Sequence, residues 1–341
     1  MDKAKYLHEL EVALIANDYS LEESLACIKY ASKLIHANLP VIFDKIHLAH
    51  LLGIKPYNLS SLLYALDSYC YHEYIIPKKN GGVRIIDSPS MDLKYIQRWI
   101  LDNIIDKMHV SEYAHGFVKN RSILTNAVLH IDHECVITID LKDFFPSVKL
   151  EQVFMLFKYY GYTKEVSFTL AKLCTYLGIL PQGSPASPAI TNVLCLKLDK
   201  RLGKLAESYN AVYSRYADDL TFSGTKALPS IIPVVKKIIE EEGFRVNEKK
   251  TRVAYAHERQ EVTGLIVNDG AVKVSKKFKR ALRQEIYYCQ KYGVSDAQNH
   301  CQKDFHYYKE HLYGKAYFVK MIEPLIGDKF LAELDRITWE Y

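Results

Sequence analysis

"VYSRYADDLTFSG", residues 212–224, places two carboxylates, Asp218 and Asp219, side by side between two runs rich in aromatic and β-branched residues. The runs have strand character, and the short polar break between them is that of a tight turn. The stretch therefore reads as strand, turn and strand. Adjacent like charges destabilise a folded chain unless water or a cation compensates them. The turn is thus either solvated or half of a metal site, and the stretch alone leaves both readings open.

Upstream, "CVITIDLKDFFPSV" (135–148) begins as an apolar, β-branched run and meets Asp140 at its end. Such a run is typical of a buried strand, where a carboxylate is costly unless paired, hydrogen-bonded or bound to metal. If this strand neighbours the 212–224 hairpin, Asp140, Asp218 and Asp219 converge at one sheet edge. Hard divalent cations such as Mg²⁺ favour oxygen ligands of this kind. Two such ions about 3.5–4 Å apart clamp an in-line phosphoryl displacement.

Other segments fall into order around these three aspartates. "YHEYIIPKKNGGVRIIDSPS" (71–90) is a β-hairpin turning at Asn80–Gly81 and carrying Lys78, Lys79 and Arg84. Ser90 then caps a helix with Leu93, Ile96, Ile100, Ile104 and Met108 on one side. "LPQGSPASPAITNVLCLKLDKRL" (180–202) is a Pro/Gly-punctuated loop running into a helix, with Ser187 as N-cap and Pro188 in the first helical position. "IIPVVKKIIEEEGFRVNEKKTRVAY" (231–255) gives a helix ending at Gly243, a short strand and a basic segment. "EVTGLIVNDGAVKVS" (261–275) gives a hairpin turning at Asn268–Gly270. The remainder is helical, basic and tyrosine-rich. The first 70 residues are helical too: Ser20 and Glu23 form a capping box, and Pro40 follows the helix they open. Helices interspersed with hairpins indicate an α+β fold with a largely antiparallel sheet.

Composition sets the outer limits. The 341 residues suffice for two or three subdomains around a sizeable core. No apolar run of about 18 residues is present, so no membrane span and no membrane partner are expected. The N-terminus mixes acids and bases and is no signal peptide. Seven scattered cysteines, none in a C-x-x-C pair, argue against zinc or a disulfide framework and for a cytoplasmic location. Between Lys273 and Lys320, eleven Lys/Arg face four Asp/Glu. That local balance of +7 leaves −2 on the rest of a chain of net charge +5. A basic C-terminal lobe suits a polyanionic partner, and a solvated helical face accounts for it equally well.

Taken in order, these segments resemble the reverse transcriptases over roughly residues 75–270. "YADD" resembles the family's paired catalytic aspartates and "IDLKDFFPSV" the segment bearing the third. "LPQGSPASP" resembles the loop against the nascent base pair, "GFRVNEKKT" the segment following the catalytic hairpin, and "VTGLIV" the primer grip. "NAVLH" (126–130) and Val262-Thr263-Gly264 are similar to the N-A-x-x-H and V-T-G elements of retron reverse transcriptases.

The resemblance implies a right-hand polymerase. A helical N-terminal extension would occupy residues 1–70 and the fingers 71–135. The palm, with part of the fingers, would occupy 136–270 and a basic helical thumb 271–341. Asp140, Asp218 and Asp219 would be catalytic and hold two Mg²⁺, with the Leu141 carbonyl as a further ligand. Lys78 and Arg84 would hold the incoming triphosphate, Gln182 and Gly183 would support the nucleotide, and Lys250 would deliver a proton to pyrophosphate. Phe145 would be a steric gate favouring dNTPs, the other reading being a core phenylalanine. Asn126, His130, Val262, Thr263, Gly264, Lys276, Arg280 and Arg283 would serve RNA and primer, although His130 reads equally as a core or capping histidine. Tyr287, Tyr288 and Tyr292 either stack on bases or pack the thumb.

About 75 residues follow the primer-grip element, which accommodates a thumb but no RNase H or integrase domain. Retron resemblance further implies a structured noncoding RNA as template and primer. Synthesis from a guanosine 2′-hydroxyl would give branched RNA-linked DNA (msDNA), used in anti-phage defence with an accessory effector protein. A group II intron-like or defence-associated reverse transcriptase, or a non-catalytic RNA-binding scaffold of this fold, are the alternatives.

Overall fold

Tyr71–Pro77 (β1) and Val83–Pro89 (β2) pair antiparallel from Tyr71↔Pro89 to Pro77↔Val83 as the expected hairpin, while Asn80 of the expected Asn80–Gly81 turn lies outside the described residues. Gly81 and Gly82 both have positive φ, 83° and 79°, which a tight return requires. The structure, a computed structural model, describes residues 3–77, 81–300 and 307–339. Ser90 then accepts a hydrogen bond from the Leu93 amide and opens the helix Met91–Asn103. The expected apolar stripe is buried, although the regular helix stops at Asn103 and Ile104 and Met108 lie beyond it.

Cys135–Asp140 (β3), Val212–Tyr216 (β4), Asp219–Gly224 (β5) and Arg252–Tyr255 (β6) form one antiparallel sheet in the order β4-β5-β3-β6. β3 therefore lies inside the sheet, which explains its continuous apolar run: five of its six residues are buried. The register sets Asp140 directly opposite Asp219. Glu261–Val262 (β7) and Leu265–Ile266 (β8) form a separate small hairpin. Its tight turn is Thr263–Gly264, with φ of 47° and 83°, and not the expected Asn268–Gly270. Asn268–Gly270 makes a second reversal that returns the chain to pair Lys273 with Ile266. Two successive positive-φ residues make a type I′ turn, for which Thr-Gly is a weaker signal than Asn-Gly.

A second departure concerns Ser187. The helix runs Ser187–Leu194 with Ala186 in the capping position, and among the described residues the buried Ser187 hydroxyl has no partner. Ser184, three residues earlier, instead accepts from the Ala186 amide at 3.2 Å. The capping box of Ser20 and Glu23 forms as expected on the helix Leu21–His36.

The chain divides into two compact units built from separated segments. One comprises Met1–Glu112, Leu141–Lys200 and Ile239–Arg245. In it an N-terminal helix is tied to a later one at the surface, where Asp67 accepts from Lys172 and from the Leu177 amide, while Gln97 in the interior donates to Tyr71 and to the Leu173 carbonyl. The other unit comprises Tyr113–Asp140, Arg201–Ile238 and Val246–Tyr341. It holds the four-stranded sheet, the β7–β8 hairpin and the C-terminal helices Lys276–Tyr292, Val294–His300, Tyr308–Ile322 and Pro324–Leu334. Val136, Val262, Leu265, Leu282, Leu312 and Phe330 belong to one continuous apolar cluster there.

Two ion pairs fasten these helices: Lys279 to Glu323 at 2.7 Å and Lys315 to Glu285 at 2.8 Å, all four side chains mostly buried. Removing one partner of such a pair leaves a desolvated charge, unlike the exposed pair Lys5–Glu9. Lys315→Ala is expected to destabilise the fold by about 3 kcal/mol, against less than about 0.5 kcal/mol for Lys5→Ala, as read by thermal or urea unfolding.

Candidate active site

The turn between β4 and β5 consists of Ala217 and Asp218 alone, because Tyr216 pairs with Asp219. Ala217 sits at φ 58°, in the left-handed region that a residue with a Cβ occupies at a cost of order 1 kcal/mol. The strain is held by neighbours. Arg215, fully buried, donates from its guanidinium to the Ala217 carbonyl at 3.2 Å. The segment from Tyr113 runs along β4: His115 donates its amide to the Arg215 carbonyl, and the Arg215 amide donates to the Tyr113 carbonyl. Gly116 follows, and a Cβ there would fall 2.5 Å from the Ala217 nitrogen. The glycine is what lets this segment lie against the Ala217–Asp218 turn.

Strand alternation puts Asp219, Thr221 and Ser223 on one face of the sheet, with Asp140 opposite Asp219. Asp140 is buried and accepts two hydrogen bonds, from Asn247 Nδ2 at 2.8 Å on Oδ1 and from Lys250 Nζ at 2.6 Å on Oδ2. The Asn247 amide also donates to the Asp140 carbonyl at 2.8 Å. The Asp140 carboxylate holds the Lys250 ammonium above its ordinary pKa, with Asp218 and Asp219 adding to the effect. Asp219 moves the other way for a carboxylate: burial, then the charges of Asp218 and Asp140, push it up to about 6, and Lys250 offsets part of this. Asp219 itself is exposed at the sheet end, so the two neighbouring charges are the firmer part of the cause.

Three hard oxygen donors gathered at one sheet end are a donor set that suits a divalent cation. Among the described residues, however, no three such groups form a ready cation cage. Both Asp140 oxygens are engaged by protein donors, and Lys250 supplies positive charge there. Of the two neighbouring lysines, Lys250 and not Lys249 reaches Asp140. Asn247 was not among the expected site residues; its place at the head of "NEKK" was the available signal. Gly116, Arg215 and Ala217 were missed as well, because their roles arise from backbone approach.

The remaining candidates separate by unit. Arg84, Leu141, Phe145, Gln182 and Gly183 belong to the unit containing the β1–β2 hairpin. Arg84 is exposed on β2, and Lys78 lies outside the described residues. Phe145 is half-buried in the short helix Phe144–Ser147, whereas its neighbour Phe144 is the buried ring, 5.6 Å from Phe244. Gly183 has φ 140°, and a Cβ on it would meet the Asp87 carbonyl of β2 at 2.4 Å. That close approach is therefore made to the hairpin strand.

In the other unit, Lys276, Arg280 and Arg283 are exposed along one face of the helix Lys276–Tyr292. Tyr287 and Tyr292 are also exposed, with the Lys291 ammonium 5.4 and 5.1 Å from their ring centres. Asn126, His130 and Val262 are fully buried, so their side chains present no surface to RNA in this structure. The Asn126 carboxamide has no hydrogen-bond partner among the described residues. Thr263 Oγ1 donates to the Ile123 carbonyl at 3.4 Å, so the V-T-G turn packs on the helix Ile123–Val128 that carries Asn126.

Gly116→Ala tests the backbone approach. Its φ permits alanine, so the only penalty is the clash with Ala217. The clash is expected to destabilise the fold by about 1–3 kcal/mol, as read by thermal or urea unfolding.

Comparison with known proteins follows the same lines. The family described as reverse transcriptase (RNA-dependent DNA polymerase) matches residues 76–279. Retron Mx162 reverse transcriptase of Myxococcus xanthus is 40% identical over 302 residues, covering 78% of this chain and 61% of that protein. Retron Ec86 reverse transcriptase of Escherichia coli is 37% identical, covering 75% of this chain and 81% of that protein. Retron Mx65 reverse transcriptase of Myxococcus xanthus is 39% identical, covering 74% and 62%. The chain thus spans under two thirds of the length of the two myxococcal relatives. With the aspartate-bearing strands, the PQG loop and the V-T-G hairpin in the family's order, the chain belongs to the reverse transcriptases, and among them to the retron type.

Proposed function

We propose that this chain is an RNA-directed DNA polymerase that copies a cognate structured noncoding RNA into RNA-linked single-stranded DNA. The observation that carries the reading is the register that sets Asp140 opposite Asp219, with Asp218 beside it in the turn, in a chain whose relatives are named retron reverse transcriptases. A non-catalytic scaffold has no use for three carboxylates gathered at one sheet end, where the charges of Asp218 and Asp140 add to burial in pushing Asp219 up to about 6. The donor set fits two Mg²⁺ ions, which when bound supply charge neutralisation for the attacking and leaving oxygens.

The protein's own groups have distinct tasks in this reading. Asp218 and Asp219 are presented by a two-residue turn, and Asp140 is oriented by Asn247. Asp140, Asp218 and Asp219 would hold the ions, and Lys250, ion-paired with Asp140, would donate a proton to pyrophosphate. Arg84 binds the triphosphate and Gln182 supports the nucleotide, as the family resemblance assigns them. The Phe145 ring excludes a 2′-hydroxyl. The exposed row Lys276, Arg280 and Arg283 meets phosphates, giving affinity and register without sequence discrimination. Priming from a guanosine 2′-hydroxyl of the RNA, a branched msDNA product, an accessory effector and a role against phage complete the proposal. The names of the relatives and the N-A-x-x-H and V-T-G elements support them. No helix among the described residues is long and apolar enough to cross a membrane, in keeping with work on nucleic acid in the cytoplasm.

Two measurements test this reading. Asp218→Asn with Asp219→Asn should abolish primed synthesis on RNA with dNTPs and Mg²⁺ while RNA binding persists; continued extension would overturn the assignment. Phe145→Ala should lower the preference for dNTPs over NTPs, measured as the ratio of their kcat/KM values, and an unchanged ratio rejects the gate.

A further inference from the structure

His130, of the N-A-x-x-H element, is fully buried, and both ring nitrogens are engaged at 2.7 Å: Nδ1 with Ser223 Oγ and Nε2 with Ser214 Oγ. Ser214 lies on β4 and Ser223 on β5. The register pairs Ser214 with Thr221, so Ser214 and Ser223 are diagonal neighbours on one sheet face. Such a diagonal spans about 7–8 Å, the reach of one imidazole bonded at both ends. Ser223 and Thr221 share the face of Asp219, and Ser214 stands two residues behind Tyr216, whose partner closes the turn. The ring therefore bridges the two strands that present Asp218 and Asp219.

From this we infer that His130 is a positioning residue, a neutral strut that fixes the catalytic hairpin by tying β4 to β5. The inference rests on the polymerase reading above. A neutral imidazole has one donor and one acceptor, and two serine hydroxyls satisfy both because each can rotate to accept or donate. Burial holds the ring neutral by pushing its pKa down to about 3. Contact with RNA is excluded by its burial, and both nitrogens are already committed, so it is no acid or base for the reaction.

The hairpin has particular need of such a strut. Its turn is strained at Ala217, and β4 is the last strand of the sheet, with the Tyr113–His115 segment paired alongside it. That segment is itself held to the helix before His130, through His115 Nδ1 and Thr125 Oγ1 at 2.9 Å. The same helix receives the Thr263 hydroxyl of the V-T-G turn. One short helix thus leads into His130 and takes the contact from the V-T-G turn.

The test uses the full chain and a generic primed RNA template, with single-nucleotide incorporation, RNA affinity and thermal unfolding measured together. The double variant Ser214→Ala/Ser223→Ala keeps the imidazole and removes both anchors. It is expected to lower kcat about tenfold or more, with the KM for dNTP and RNA affinity unchanged. His130→Gln, which retains a donor and an acceptor, should recover part of the activity lost in His130→Ala. If His130→Ala does not fold, the serine pair carries the test alone. A folded serine double variant with wild-type kcat overturns the strut, as does a loss confined to RNA affinity. Absence of DNA synthesis by the wild-type chain overturns the polymerase reading instead, so the two failures are distinguishable.

Discussion

The structure is organised around a like-charge problem at one end of one sheet. Asp140, Asp218 and Asp219 are brought together by the pairing of β3 with β5 and by the turn beside it. Left alone they repel, and the raised proton affinity of Asp219 is the visible consequence. Asn247 and Lys250 compensate Asp140, and the strand arriving from Asn247 continues into β6, the neighbour of β3 on its other side. The compensating groups are therefore delivered by the same sheet that creates the repulsion.

Precision in this arrangement comes from behind the hairpin. A strained two-residue turn on an edge strand would be a poor platform for carboxylates that must be placed to within fractions of an ångström. Here the turn is gripped by the Arg215 guanidinium, by the backbone of residues 113–115, and by Gly116, whose lack of a Cβ admits that backbone. Buried, fully hydrogen-bonded polar groups such as His130 rigidify more than apolar packing does, because misplacing them leaves desolvated partners unsatisfied. The C-terminal helices follow the same economy, with Glu285 and Glu323 each held by a lysine.

Much of the fold and part of the site were legible from residue patterns. The Asn80–Gly81 hairpin, the Ser90 cap, the apolar run of Cys135–Asp140 and the strand–turn–strand of residues 212–224 are local signals, each expressed within a few residues. That the three aspartates meet was legible because their segments occur in a known order and the strands pair as expected. Thr263–Gly264 was passed over for Asn268–Gly270 because Thr at positive φ is an uncommon choice. Ser187 was taken for a cap that Ser184 partly replaces one turn earlier.

By itself, then, the sequence determined the element types, the three acidic residues and the family, since these depend on side-chain chemistry and short-range periodicity. Tertiary structure alone decided which groups meet. Lys250 rather than Lys249 reaches Asp140, Gly116 abuts Ala217, and His130 spans Ser214 and Ser223, partners more than 80 residues away in the chain. Such contacts follow from strand register and backbone approach, where a shift of one residue turns every side chain to the opposite face. No local pattern encodes that choice.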